Sequence, residues 1–95
     1  MAVLSDEEIG QALDGLPGWE HTGGEIVREV KLGTFRDAVA FVVRVSYEAE
    51  KANHHPDIDI RYNRVRFALS THDEDGVTQK DLDLAGTIQG LAPPH

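Results

Sequence analysis

The stretch Glu50-Lys51-Ala52-Asn53-His54-His55-Pro56 decides the fold of this 95-residue chain. Upstream of it, Thr34 to Asn53 carries Phe35, Ala38, Val39, Val42, Val45, Ala49 and Ala52 at three- and four-residue steps, the period of an amphipathic helix. Thr34 caps that helix, and Asp37 stands at the fourth position of a capping-box pattern. The helix cannot run past His55, because a residue before proline is pushed out of the α region. Downstream, Asp57 to Tyr62 alternates with Ile58, Ile60 and Tyr62 inward, and Arg64 to Ser70 alternates with Val65, Phe67 and Leu69 inward. Tyr62-Asn63 between them reads as a tight turn in which asparagine takes the left-handed conformation, making the pair a β-hairpin. The histidine pair therefore sits where a long helix hands over to a hairpin.

The flanking segments repeat this layout. Ser5-Asp6-Glu7-Glu8 is a capping box, followed by Ile9, Ala12, Leu13 and Leu16 at helical spacing, and Pro17-Gly18 ends that first helix. Trp19 stands at a short strand, His21-Thr22-Gly23-Gly24 reads as a turn, and Glu25 to Leu32 is a second strand with Ile26, Val30 and Leu32 on one face. Arg28 breaks its alternation. After the polar loop Asp73-Glu74-Asp75-Gly76, Thr78-Gln79-Lys80-Asp81 is another capping box, and Leu84, Ala85, Ile88 and Leu91 stripe the last helix. Ala92-Pro93-Pro94-His95 is a tail. The order α-β-β-α-β-β-α predicts an α+β fold, a four-stranded antiparallel sheet with helices packed on one face, in a single domain spanning 1–95.

Composition narrows the function. Hydrophobic residues at 40% and charged residues at 27% suit a globular chain. The absence of cysteine excludes disulfides, thiolate metal sites and a cysteine nucleophile, and fits a reducing, cytoplasmic compartment. The N-terminal residues lack the form of a signal peptide, and no apolar run approaches the ~20 residues of a membrane span. With 9 basic and 17 acidic residues the net charge is −8, which argues against a broad nucleic-acid-binding surface. A second apolar row on the long helix, Ala40, Val43 and Tyr47, is compatible either with deeper burial or with another subunit or protein partner.

Three of the five histidines fall at the ends of consecutive elements, His54 and His55 after the helix and His72 after the hairpin. If the hairpin folds back on the helix, the three imidazoles share one polar pocket, suited to proton transfer because histidine titrates near neutrality. Three imidazoles and a water also describe a catalytic zinc site. Adjacent histidines seldom bind one ion, however, and neither His-x-His nor His-x-x-x-His spacing occurs, although Asp57, Asp59, Asp73, Glu74 and Asp75 lie near as further ligands. No metal is expected. Ser70 and Thr71 lack a nucleophile motif. Glu50, one helical turn before His54, reads either as its hydrogen-bond partner or as an exposed carboxylate.

The pattern Glu50-x-x-x-His54-His55-Pro56, Tyr62, Ser70-Thr71-His72, Gly76-Val77-Thr78 and Asp81, together with Gly18-Trp19, resembles the pterin-4a-carbinolamine dehydratases over most of the chain. The resemblance implies dehydration of a 4a-hydroxytetrahydropterin to the quinonoid dihydropterin, in the recycling of tetrahydrobiopterin for aromatic amino acid hydroxylases. It implies no metal and no organic cofactor, the pterin being substrate. It carries His54, His55 and His72 over as the catalytic trio, with Glu50, Pro56, Ser70, Thr71, Asp73, Trp19 and Asp81 around the pterin. The resemblance also implies self-association as a homodimer or homotetramer, and some family members use their helix-lined surface for self-association and to assist a homeodomain transcription factor. An interaction module is therefore the alternative to the enzyme.

Overall fold

The computed structural model describes residues 2–93, so Met1, Pro94 and His95 lie outside it. Helix α1 (Asp6–Leu13) is followed by strands β1 (Glu20–Thr22) and β2 (Glu25–Lys31), helix α2 (Phe35–Ala52), strands β3 (Asp57–Arg61) and β4 (Arg64–Leu69), a 3-10 turn (His72–Glu74) and helix α3 (Gln79–Leu91). The strands form one antiparallel sheet in the order β1-β2-β4-β3, so the second strand of each hairpin meets the other in the centre. Central β4 is accordingly the most apolar strand, with Val65, Phe67 and Leu69 buried as the alternation predicts.

Helix α2 lies on β3 and β4 with α3 beside it, and α1 covers the β1 side. The core joins Ile26 and Val30 of β2, Val65 and Phe67 of β4, Phe41 and Val45 of α2 and Leu84 and Ile88 of α3. Phe41 meets Phe67 edge to face, with ring centroids 5.7 Å apart and planes at 83°, a favoured arrangement for aromatic quadrupoles.

Five local expectations change. The buried face of α2 is Ala38, Phe41, Val45 and Ala49, whereas Phe35 and Val39 are exposed with Val43 and Tyr47 in one row at four-residue steps. Small alanines at both ends of the buried face let the helix approach the sheet, and that rotates the bulkier row outward. On the edge strand β3, Ile60 is half-buried but Ile58 remains 37% exposed, and Tyr62 lies in the turn at 72%. In that turn Tyr62 holds the positive φ of 52°; Asn63 is instead anchored to Leu32, its side-chain amide and backbone carbonyl both bonding that residue's backbone. His21 belongs to β1 and is half-buried, leaving Gly23-Gly24 as the turn.

Arg28 does not break the alternation of β2. It points inward between Ile26 and Val30, buried, and its Nη1 donates to Gln89 Oε1 of α3. Desolvation lowers its pKa below the usual arginine value. Gly18, at φ +90°, passes so close that a Cβ there would sit 3.1 Å from the guanidinium Nε.

Candidate active site

The end of α2 sets the site. Asn53 takes a left-handed conformation (φ 50°, ψ 44°), its amide donates to the Glu50 carbonyl (3.1 Å), and the His54 amide donates to the Ala49 carbonyl (3.1 Å). This is the Schellman closure that reverses the chain direction at a helix end. The reversal sends the two adjacent histidines to opposite environments: His54 is buried, and His55 is exposed.

The His54 Nε2 meets Oδ1 of Asp81, the acidic residue in the first turn of α3. Asp81 is completely buried, and its Oδ2 accepts from the Thr78 amide (2.9 Å) and from the Thr71 hydroxyl (2.9 Å). The hydroxyls of Thr71 and Thr78 lie 2.7 Å apart. Since Thr71 gives its proton to Asp81, the Thr78 hydroxyl donates to Thr71. A carboxylate that accepts on both oxygens is completed by an N–H on His54 Nε2, which leaves Nδ1 as the open ring nitrogen. Thr71 is itself placed by an isolated bridge to Gly76, which closes the loop carrying His72.

His55 bonds Glu50 at 2.5 Å, in an exposed pair. Glu50 thus serves the second histidine, because the left-handed turn at Asn53 takes His54 off the helix face that Glu50 occupies. A cleft of about 280 Å³ gathers His54, His55, His72, Ser70, Thr71 and Asp73 with Asn53 and Lys80. The first six are among the residues the sequence singled out. Asp81 and Glu50 stand behind the lining as partners of the histidines, and Pro56 fixes the chain after them. Trp19 is elsewhere: it is buried in the core, and its indole N–H has no hydrogen-bond partner among the described residues. Asn53 and Lys80 were missed. The sequence signal for Lys80 is only its position beside Asp81 in the first turn of α3, and for Asn53 its place just before the histidine pair. Among the described residues, no three His, Asp or Glu side chains are grouped as a bound metal ion would require.

Residues 2–91 match the sequence model of the family described as pterin 4 alpha carbinolamine dehydratase. A Mycobacterium avium (strain 104) protein, provisionally named a pterin-4-alpha-carbinolamine dehydratase, is 50% identical over 91 residues, covering 96% of this chain and 97% of its own. A Chloroflexus aurantiacus protein with the same provisional name is 53% identical, covering 96% and 98%. The crystal structure of a transcriptional coactivator/pterin dehydratase from Brucella melitensis superposes with a TM-score of 0.91 at 35% identity, over 96% of this chain and 99% of that one. A pterin dehydratase-like RuBisCO assembly factor of the alpha-carboxysome, at 17% identity, TM-score 0.69 and 82% and 93% coverage, shares the fold alone.

Proposed function

Because the chain belongs to the pterin 4 alpha carbinolamine dehydratase family, we propose that it converts a 4a-hydroxytetrahydropterin to the quinonoid dihydropterin and water, with His54, His55 and His72 as the acid and base groups. The tethering of His54 to buried Asp81 carries this reading. Departure of the 4a-hydroxyl needs a proton on the leaving oxygen and removal of a proton from the neighbouring ring nitrogen. His54, its Nε2 occupied by Asp81, takes the ring proton on Nδ1. His55 or His72, on the exposed walls of the cleft, delivers the proton that lets the hydroxyl leave as water. One proton enters and one leaves, so the protein returns to its starting charge once the two histidines re-equilibrate. Each transfer contributes about 10²–10⁴-fold. Ser70, Thr71 and Asp73 line the same cleft and supply polar contacts to the pterin.

The decisive experiment is stopped-flow decay of freshly generated 4a-hydroxytetrahydropterin, with and without the protein and with a chelator. Acceleration that survives chelation and falls in both His54→Ala and His72→Ala is the expected result. Full activity in both variants would sink the histidine assignment, and loss of activity on chelation would sink the metal-free reading. We read the enzyme as cytoplasmic and as serving tetrahydrobiopterin recycling. The described helices include none long and apolar enough to cross a membrane.

The exposed row Phe35, Val39, Val43 and Tyr47 supports self-association through α2 as a homodimer or homotetramer, and equally an interaction role for the same surface. Tyr47→Glu should reduce the particle size on sizing chromatography. An unchanged size would remove α2 from the interface.

A further inference from the structure

The sheet face turned away from the helices carries an arrangement that the histidine chemistry does not use. Lys31, Arg64 and Arg61 stand directly opposite one another on β2, β4 and β3, in a single cross-strand row. They point opposite to buried Val30 and Val65, which precede or follow them in the alternation, and all three are exposed. Like charges in directly opposed positions destabilise a sheet.

The next row, Glu29, Arg66 and Asp59, places a carboxylate on each side of Arg66. Both carboxylates turn away to the cationic row: Glu29 takes Arg64 at 2.8 Å and Asp59 takes Arg61 at 3.2 Å. Among the described residues, Arg66 reaches only Glu25, at 3.9 Å, and no ion pair reaches Lys31. At this end of the sheet four cations stand with Glu29, Asp59 and Glu25 as their ion-pair partners, and Asp57 and Glu20 lie further along the same face, on a chain whose net charge is −8. A shallow hollow of about 410 Å³ opens between Arg61, Arg64, Arg66, Glu29 and Asp59. Tyr62 and Asn63 join Arg61 to Arg64 at the hairpin tip, and Tyr62 is 72% exposed with a positive φ that bulky residues rarely adopt. It belongs to the sequence pattern quoted above, yet it does not line the histidine cleft.

We propose that this end of the sheet is a docking surface for an acidic segment of a protein partner. Arginine forks match carboxylates in paired geometry, and arginine and tyrosine are among the side chains enriched at the energetic centre of interfaces. Adjacent strands lie about 4.8 Å apart, so the cationic row spans about 10 Å, room for two carboxylates at alternate positions of an extended peptide. A longer polyanion fits poorly: beyond the row it meets Glu29 and Asp59, then Glu25 and Asp57 on the same face. Distant carboxylates of the chain are screened within about 8 Å at physiological ionic strength, while the row acts at contact.

The test is fluorescence anisotropy of a fluorescein-labelled hexaglutamate peptide at physiological ionic strength, with a six-nucleotide single-stranded DNA as the second probe. The intact protein should bind the peptide and not the DNA. Lys31→Glu and Arg64→Glu should each weaken peptide binding about tenfold, Tyr62→Ala should weaken it less, and pterin dehydration should be unchanged in all three. Circular dichroism identifies any variant that fails to fold, and the two charge reversals, on different strands, check each other. No binding of the peptide, equal binding by both charge-reversed variants, or DNA bound as tightly as the peptide would each overturn the proposal.

Discussion

Two capping boxes, Ser5-Asp6-Glu7-Glu8 and Thr78-Gln79-Lys80-Asp81, look alike as sequence and do different things in the fold. In the first, Glu8 accepts from the Ser5 amide at 2.8 Å and Ser5 accepts from the Glu8 amide at 3.1 Å, all in exposed positions. Those bonds hold the Glu8 carboxyl below its ordinary pKa, the Ser5 backbone amide contributing most. In the second, Asp81 again bonds the amide of its cap, but it is buried, and its other oxygen takes His54. Position within the fold, rather than the motif, turned a helix start into the anchor of a buried histidine. Polar groups buried together hold a geometry because none of them can turn to water instead.

The contrast can be broken at its strong end first. Asp81→Ala leaves His54, Thr71 and the Thr78 amide facing an empty carboxylate site, and should cost about 3–5 kcal/mol in urea unfolding together with most of the dehydration rate. If its stability matches that of Glu8→Ala, burial gives the second box no special role. Thr71→Val removes one donor to Asp81 and should cost about 1–3 kcal/mol, with activity falling less than in His54→Ala. Glu50→Gln breaks the exposed pair with His55 and should change stability by no more than about 1 kcal/mol; a larger loss would place that pair in the same class as His54–Asp81.

The smallest effect is the acid response of Glu8. Its folded pKa is lowered from an ordinary value near 4.5, so the ionised form is the one the fold favours. Its contribution is present above pH 4.5 and is lost as pH falls through the lowered folded value. The gap in melting temperature between the native chain and Glu8→Gln should therefore close on acidification; a gap that persists at pH 2 would refute the carboxylate's part in the cap.

The element order was legible because both hairpins and all three helix starts are encoded locally, by alternation, by turn residues and by caps. What escaped was decided by contacts distant in sequence. Glu50 stands one turn before His54, and residues four apart face each other only while the helix continues; the left-handed Asn53 ends that relation and hands Glu50 to His55. Arg28 looks like a fault in β2 because its partner Gln89 is 61 residues away. The outward rotation of Phe35 and Val39 depends on which residues allow close approach to a sheet not yet assembled when the helix is read alone. The histidine cluster itself was readable, since its members end neighbouring elements, but the role of Asp81 required burial as well as spacing.

The Thr78 amide gives the buried network a clock. Its proton is held by Asp81, inside a residue with no solvent exposure, and the same carboxylate holds His54 from 27 positions away. Deuterium replaces that proton when the Thr78–Asp81 bond opens, in a local opening at the start of α3 or in global unfolding. The exchange rate of this one amide, set against that of core amides, therefore counts how often the start of α3 opens beside His54 while the rest of the protein stays folded.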